Sequence, residues 1–403
     1  MKTPTASRPL AFLAVVLGVA VGVVGGHYAW TASSTPKTRS TASRPGGQAH
    51  FPNANPQFPG GGNGFTGGCT SSGCSFHFNG GSSASGGGFG GGSGNVASSI
   101  TKKVDPAIVD INTQLGYQQS AAAGTGMVVT SSGEVITNNH VIVGATKITA
   151  TDVGNGKTYT ARVIGYDYGH DIAVLQLENA SNLQTVSLAS SSSLSVGQRV
   201  ATIGNAGGAG GTQSAAVGRI SGVNQSITAG DPNGSSEHLT GLIELDGDLQ
   251  PGDSGGPLVD SAGRVIGIDT AASSTFQFES AGGRGFAIPI DTVKTIARDI
   301  LTGTITGKVH IGGTPFLGVT IDGRSTATGA TIVQVLSGTP AAGSALASGD
   351  TITALDGTSV TSPANLTQLI LHHHPGDQIK LSYHAKTGPS QTASVTLTSG
   401  PPQ

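Results

Sequence analysis

Residues 250–260 read QPGDSGGPLVD, a stretch in which Ser254 is surrounded by glycines and prolines. Such a serine is either a nucleophile on a tight turn or an ordinary member of a glycine-rich loop. The chain has 65 glycines among 403 residues, about twice the usual share, so serines beside glycines are expected by chance. The rest of the sequence has to decide between the two interpretations.

Short runs of β-branched residues flank this stretch on both sides. Separated by turn residues between Ile100 and Gly303, they include GMVVT, EVIT, KITATDV, DIAVLQL, RVATIGN, GLIELD, RVIGIDT and GFAIPI. Regular short strands of this kind predict an all-β barrel or sandwich. One amphipathic helix is predicted over Asp291–Leu301, with Asp291 as its N-cap.

Composition narrows the class of function. Charged residues make up 10% of the chain and the formal net charge is −2, so no basic surface for nucleic acid is indicated. The two cysteines, Cys69 and Cys74, either close one small disulfide loop or remain as surface thiols. They offer too few ligands for a metal site, and we expect neither a metal nor another cofactor.

The N-terminal region contains an apolar segment. Residues 10–26 are wholly apolar, and with the four residues that follow they make 21 residues without a charge, enough to span a bilayer as a helix. Because Lys2 and Arg8 precede it, we predict a membrane anchor over residues 1–30 with a cytoplasmic N-terminus. A cleaved signal peptide is the alternative. Residues 31–98, rich in Gly, Ser and Pro, predict a flexible linker outside the cytoplasm.

Three residues in order along the chain could form a nucleophilic site. His140 follows a predicted strand in ITNNHVI, Asp171 begins the apolar run DIAVLQL, and Ser254 comes after both. A serine attacks a carbonyl only when a base removes its proton and a third group orients that base. The order His, Asp, Ser is the one that chymotrypsin-like double barrels use.

A smaller unit follows, from Lys308 onward. It contains FLGVTI, ATIVQVL, TITALDG, QIKLSYH and ASVTL as strand candidates, and a helix over residues 362–373. Ser362 before Pro363 fits an N-cap with proline at the first helical position.

The motifs TNNHV, DIAVLQL, GDSGGPLV, VIGIDT and GFAIPIDTV resemble the HtrA family of serine proteases, also called the DegP family. The resemblance implies a mostly β fold, with a chymotrypsin-like double barrel at residues 99–303 and an α+β PDZ domain at 308–399. It makes His140 the general base, Asp171 its orienting acid and Ser254 the nucleophile. Gly252, Asp253 and Ser254 would form the oxyanion loop, whereas His170 and His238 would be structural.

Two residues of this stretch depart from the family pattern. Asp253 stands where the family usually has Asn, which leaves its partner open. Asp248, six residues before Ser254, occupies the position of the acidic residue that selects Lys or Arg in trypsin-like enzymes. Leu249 instead favours a small apolar residue before the cleaved bond. Substrate backbone is expected to pair with an edge strand at Ile268, Asp269 and Thr270.

The smaller unit is expected to bind peptide C-termini. Phe316, Leu317, Gly318 and Val319 resemble the carboxylate-binding loop of PDZ domains, and Leu366 and Ile370 would line the groove. The alternative is a β-rich domain that only packs against the protease. The successive histidines 372–374 lack the i,i+4 geometry of helical metal pairs.

These features together imply an anchored endopeptidase that cleaves unfolded extracytoplasmic proteins, assembled as a homo-oligomer, a trimer by resemblance. Two alternatives remain open. One is an inactive chaperone or peptide-sensing scaffold, and the other is a secreted protease with Lys/Arg specificity.

Overall fold

The computed structural model describes residues 15–17, 66–70, 73–77, 93–230, 236–247, 249–270, 284–323 and 328–403. Most of the predicted anchor and linker, and Asp248, lie outside the described residues. Within the described ranges, no helix is long and apolar enough to cross a membrane.

Three short strands precede the main body of the chain. They are β1 (Val15–Leu17), β2 (Thr66–Thr70) and β3 (Gly73–His77). Residues 26–91 form a unit of their own, in which β2 and β3 pair antiparallel with Cys69 opposite Cys74. The disulfide between these cysteines stays a prediction.

The first barrel is built from six antiparallel strands. Its elements are α1 (Ser93–Val104), β4 (Ile108–Leu115), β5 (Ser120–Val128), β6 (Glu134–Thr137), α2 (Asn139–Ile142), β7 (Lys147–Asp152), β8 (Thr158–Asp167) and β9 (Ile172–Leu177). The strand order is β8-β7-β4-β5-β6-β9, and pairing of β8 with β9 closes the barrel. Alternating apolar residues such as Val109, Ile111 and Val135 fill its interior, as period-2 side-chain alternation requires.

Helix α1 starts earlier than the sequence indicated. It begins at Ser93, within the predicted linker, rather than after residue 98. Its Ile100 and Val104 are buried against residues of the second barrel, including Ala201 and Val265. This burial of apolar area explains why a helix forms beside a segment rich in glycine.

The second barrel closes with the order β10-β11-β12-β15-β14-β13. Its strands are β10 (Arg199–Gly204), β11 (Ser214–Gly230), β12 (Ser236–Asp246), β13 (Pro257–Asp260), β14 (Val265–Asp269) and β15 (Arg284–Pro289). The two barrels together confirm the predicted mostly β, chymotrypsin-like architecture.

Helix α3 (Ile290–Leu301) follows the second barrel and packs against both barrels through Val293, Ile296 and Ile300. The predicted N-cap was wrong by two residues, because Pro289 occupies the cap position. Asp291 lies in the first turn instead, where its carboxylate accepts hydrogen bonds from Ser190 and Ser191. An acidic side chain there is favoured by the helix dipole.

The remaining elements form the PDZ-like domain, except β16, which belongs to the sheet of the first barrel. They are β16 (Val309–Ile311), β17 (Thr314–Phe316), β18 (Val319–Ile321), β19 (Ala330–Val335), β20 (Thr351–Leu355), β21 (Thr358–Ser359), α4 (Pro363–Leu371), β22 (Gln378–His384), β23 (Ser390–Thr396) and β24 (Thr398–Gly400). The main sheet has the order β1-β18-β19-β20-β22-β23, while β17 pairs with β24, and β16 extends the first barrel at β8.

The predicted cap of α4 is confirmed. The Ser362 hydroxyl accepts a hydrogen bond from the Asn365 N–H at 3.1 Å, and Pro363 begins the helix. The helix ends at Leu371, so the three histidines lie at and beyond its C-cap rather than within it. No group of metal-ligating side chains occurs among the described residues.

Candidate active site

His140 and Asp171 meet at the ends of two paired strands. His140 lies on α2, directly after β6, and Asp171 directly precedes β9; β6 and β9 pair with Thr137 opposite Ala173. The ring Nδ1 of His140 is 2.8 Å from Oδ2 of Asp171, and the backbone N–H of His140 donates to Oδ1 at 2.9 Å. The buried carboxylate therefore fixes both the imidazole and the backbone that carries it.

Two further residues hold Asp171, and neither role was predicted from the sequence. The Thr270 hydroxyl donates to Oδ2 at 3.1 Å, and Nδ2 of Asn138 donates to the Asp171 carbonyl at 2.8 Å. Asp171 has a positive φ of 55°, an unfavourable conformation for a residue other than glycine. These bonds keep it in that conformation. The doubled asparagine of ITNNHVI was the available signal for Asn138.

The loop that carries Ser254 is bonded to Thr125 of β5, in the first barrel. The Thr125 N–H donates to the Ser254 carbonyl at 2.8 Å, and its hydroxyl donates to the Gly252 carbonyl at 2.7 Å. Thr137, three residues before His140, donates its hydroxyl to the Thr125 carbonyl at 2.7 Å. The serine loop of one barrel is thereby attached to the strand that carries His140 in the other.

The glycines beside Ser254 are required by the backbone. Gly252 and Gly255 have φ values of 101° and 85°, which side-chain-bearing residues rarely adopt. A Cβ at Gly252 would collide with the carbonyl of Asn205, and one at Gly255 with the carbonyl of Thr125.

The peptide between Pro251 and Gly252 is held in one orientation. The Pro251 carbonyl accepts a hydrogen bond from the Gly207 N–H at 2.6 Å. Because the C=O and N–H of a trans peptide point in opposite directions, this bond turns the Gly252 N–H away from Gly207. That N–H is the predicted oxyanion donor, so the loop 205–213 supports the oxyanion peptide.

Loop 205–213 is in turn attached to the first barrel. Asp110 of β4 accepts hydrogen bonds from the Gly211 N–H at 3.2 Å and from Nε2 of Gln213 at 2.8 Å. Burial raises the pKa of Asp110. Burial, and then the charge of Asp110, raise the pKa of the nearby Asp105 to about 6.

The structure also supplies partners for Asp253. Its carboxylate accepts from the Ser214 hydroxyl at 3.1 Å and from the Gln250 N–H at 2.9 Å. Asp269 lies behind the same loop, fully buried, and neither of its carboxyl oxygens has a hydrogen-bond donor among the described residues. Burial, and then the charge of Asp253, raise the pKa of Asp269 well above its ordinary value, so the uncharged acid is favoured.

Two of the three residues predicted to pair with substrate lie inside the second barrel. Ile268 and Asp269 pair with β13 or its loop on one side and with β15 on the other, and both are buried, so they form an interior strand of the barrel. The Thr270 N–H donates to the Phe286 carbonyl at 3.0 Å. Ile268 and Asp269 therefore have no open edge in the closed barrel, whereas Thr270 follows the last residue of β14 and its pairing with substrate stays a prediction.

Of the two predicted specificity residues, Leu249 is the one that the structure describes. Asp248 lies outside the described residues. Leu249 is half-buried, and its side chain lies so close to Gly285 that a Cβ on that glycine would be 2.8 Å from it. Leu249 also packs against an apolar cluster that includes Leu245.

The other histidines lie apart from the triad. His170 bonds through Nδ1 to Asp167 at 2.7 Å, which raises its pKa. The ring of His238 contacts the Thr228 hydroxyl at 3.1 Å. Neither bonds to Asp171.

In the PDZ-like domain, the predicted loop joins β17 to β18. Phe316 and Val319 belong to these strands, with buried Leu317 and Gly318 between them, and Gly318 has a φ of 85°. Leu366 and Ile370 on α4 are buried in the core of the domain. Their role in binding peptides stays a prediction.

Comparison with known proteins agrees with this geometry. The family model of a trypsin-like peptidase domain matches residues 124–268, and that of a PDZ domain matches residues 315–397. The chain is 32% identical over 311 residues to serine protease PepD from Mycobacterium tuberculosis, covering 74% of this chain and 65% of PepD.

Two other relatives match over most of their length. The putative serine protease HhoA from Synechocystis is 32% identical over 296 residues, covering 67% of this chain and 72% of HhoA. The serine protease Do-like HtrA from Lactococcus lactis is 32% identical over 299 residues, covering 69% of this chain and 71% of that protein. The chain therefore belongs to the HtrA family of trypsin-like serine proteases that carry a PDZ domain.

Proposed function

We propose that this chain is a serine endopeptidase in which Ser254 is the nucleophile and His140 the general base. The observation that carries the proposal is the buried Asp171–His140 pair, set beside a serine loop that Thr125 attaches to the same barrel. A buried carboxylate bonded to Nδ1 of a histidine holds Nε2 as the proton acceptor.

In the proposed reaction, the Ser254 hydroxyl oxygen attacks the carbonyl carbon of a peptide bond while His140 takes the hydroxyl proton. The N–H groups of Gly252 and Ser254 stabilise the oxyanion that forms. The amine then leaves with the proton from His140, giving an acyl-enzyme. Water, deprotonated by His140, attacks the ester carbonyl, and His140 returns that proton to the departing Ser254 oxygen, which releases the acid and restores the hydroxyl. Losing one oxyanion donor typically costs about 3 kcal/mol of transition-state stabilisation.

For specificity, we favour a small apolar residue before the cleaved bond. Leu249 covers Gly285, and Phe286, the next residue, bonds to Thr270 beside the triad. An apolar side chain at this position narrows the pocket and supports apolar selectivity. The competing proposal is Lys/Arg selectivity through Asp248.

The wider role that we propose is cleavage of unfolded or damaged proteins outside the cytoplasm, regulated by peptide C-termini at the PDZ domain. The apolar segment 10–26 supports an envelope location, and we propose that this segment anchors the chain in the membrane. A homo-oligomeric assembly remains a proposal drawn from family resemblance.

Labelling with a fluorophosphonate tests the catalytic assignment. We expect wild type to be labelled at Ser254, and Ser254→Ala to show neither labelling nor proteolysis. Absence of labelling in wild type under every activating condition, with PDZ-binding peptides or unfolded protein added, favours the inactive scaffold. Cleavage-site profiling of a peptide library separates the two specificities, since loss of Lys/Arg cleavage in Asp248→Ala supports the trypsin-like alternative.

A further inference from the structure

Residues 398–403 run from the PDZ domain onto the first barrel, and we call this segment the strap. Its strand β24 pairs with β17, and Pro401, Pro402 and Gln403 continue beyond it. All three are buried. The two prolines restrict the backbone and so lower the entropy lost when the segment is ordered.

The strap contacts the turn that carries His140. The Pro402 carbonyl accepts a hydrogen bond from the Gly144 N–H at 2.9 Å, and the Gln403 carbonyl accepts one from Nδ2 of Asn139 at 2.9 Å. Asn139 begins α2, and Gly144 lies just beyond its end. A helix of four residues is not stable alone, because helix nucleation is unfavourable. Bonds at both ends therefore restrain the turn and the histidine on it.

Asn139, the residue next to His140, depends on the strap for its hydrogen bonding. Its side chain is buried, with 5% of its surface exposed. The bond from Nδ2 reaches the strap, while Oδ1 has no hydrogen-bond donor among the described residues. Removing the strap would leave the buried Asn139 amide without a hydrogen-bond acceptor, which is costly. We therefore expect the turn that carries Asn139 and His140 to shift when the strap is removed.

The strap is also held from the side of Asp171. The Gln403 N–H donates to the hydroxyl of Tyr166, which lies 3.3 Å from the Thr314 hydroxyl of β17. Tyr166 is followed by Asp167, whose carboxylate accepts from the N–H of His170. Gln403 thus bonds to both segments that bring the catalytic pair together.

At its other end the strap meets the predicted peptide-binding loop. Thr398 pairs with Phe316, the last residue of β17. The Phe316 ring lies 5.2 Å from that of Tyr117 in the first barrel. The chain continues from Phe316 into Leu317 and Gly318, so a displacement of this loop would move the strand to which the strap is bonded.

We infer that the strap is a positioning element through which the PDZ domain holds His140 in register with Asp171. Asn139 is the positioning residue, because its side chain donates the hydrogen bond to the strap. The inference rests on the proposed role of His140 as general base. Because the strap is paired with β17, it also connects this turn to the predicted peptide-binding loop of the PDZ domain.

The test compares Asn139→Ala, and a variant lacking residues 401–403, with the full chain. Gln391→Ala is the matched control, because it removes a hydrogen-bonded amide, 3.0 Å from the Tyr383 hydroxyl, from the PDZ domain away from the strap. We measure kcat and KM on a short chromogenic peptide, the rate of fluorophosphonate labelling, the melting temperature, and the far-downfield proton signal of the His140–Asp171 hydrogen bond.

For both strap variants we expect kcat and the labelling rate to fall by about tenfold to a hundredfold, as small misplacements of catalytic groups do. We expect KM to change by less than about twofold and the downfield signal to broaden. The control is expected to match wild type in all four measurements.

Labelling of both variants at the wild-type rate overturns the inference and leaves the proposed function intact. Failure to label wild type overturns the proposed function instead. If the deletion lowers the melting temperature and kcat together, Asn139→Ala decides: a normal kcat and downfield signal in that variant would make the strap only a stabilising element, and the inference wrong.

Discussion

Thr270 donates its hydroxyl to Oδ2 of Asp171 across the junction of the two barrels, at 3.1 Å. The oxygen that bonds to the His140 ring therefore also bonds to the second barrel. Relative movement of the barrels would therefore change the geometry of the Asp171–His140 pair. The proposed triad thus depends on a residue that directly follows β14 and the buried Asp269.

Replacing Thr270 by Val removes this donor while keeping the side-chain shape. We expect kcat to fall about tenfold and the free energy of unfolding to fall by about 1 kcal/mol, because a buried carboxylate loses a hydrogen bond. Peptide cleavage and urea unfolding provide the measurements. Thr202→Val is a matched control, since that threonine is buried in the same barrel and bonds to the Ala216 carbonyl at 3.4 Å. Equal kcat losses in both variants would contradict a specific role for Thr270.

Thr125→Val tests the attachment of the serine loop. The hydroxyl bonds to the Gly252 carbonyl and accepts from the Asn205 N–H at 2.9 Å, so its loss loosens both the oxyanion turn and its supporting loop. We expect kcat to fall by about ten- to a hundredfold with a smaller change in KM, as for an interaction that acts in the transition state. Steady-state kinetics measure this, with Thr113→Val in the neighbouring strand as control. A rise in KM at constant kcat would contradict the prediction.

The sequence indicated the proposed triad because each of its three residues lies in a distinctive local motif. The strands around Ser254 followed from period-2 patterns that fill a barrel. Strand β4 was not among the predicted strands, because the buried polar Asp110 and the exposed Asn112 interrupt its apolar run. Asp110 is buried because it bonds to loop 205–213, about a hundred residues away, and no local pattern contains that contact.

Contacts between distant segments account for the other differences. Thr125, Thr270 and Asn139 act through partners far along the chain, so their residue types alone carry no signal. Ile268 and Asp269 were assigned to a substrate-pairing edge for the same reason, because the sequence shows that they are extended but not that backbone partners lie on both sides of them. The strap was beyond prediction, since its prolines are typical of any exposed segment.

Asp105→Asn tests the pH dependence of stability. Burial and Asp110 raise the pKa of Asp105 to about 6 in the folded protein, above the value near 3.8 of an unfolded chain. The folded state thus binds the proton more tightly, and its stability falls as pH rises from about 4 to 6. Because Asp105 is partly exposed, we expect no more than about 1–2 kcal/mol after screening.

The asparagine variant is expected to lose this dependence and to be more stable than wild type above pH 6. Urea unfolding between about pH 4 and 8 measures it. Glu178→Gln, at an exposed carboxylate just after β9, controls for the change in net charge. Parallel stability curves for wild type and Asp105→Asn would contradict the predicted titration.

Asp269→Asn tests whether the carboxyl behind the oxyanion loop limits activity at high pH. Burial and the charge of Asp253 raise the pKa of Asp269, so the protonated acid is the form that fits the folded protein. Its contribution to stability is present at low pH and is lost as pH rises through the raised pKa. Ionisation would place a second negative charge near Asp253, whose bonds to Ser214 and Gln250 shape the turn before Ser254.

We therefore expect wild-type kcat to decline on the alkaline side as the oxyanion turn loosens, and Asp269→Asn, which cannot ionise, to remain active to higher pH. The pH profile of kcat on a short peptide measures this. Asp253→Asn is a second variant: because the Asp253 charge raises the pKa of Asp269, its removal is expected to move the decline to lower pH. An alkaline limb that stays in place in both variants would show that Asp269 does not control the turn.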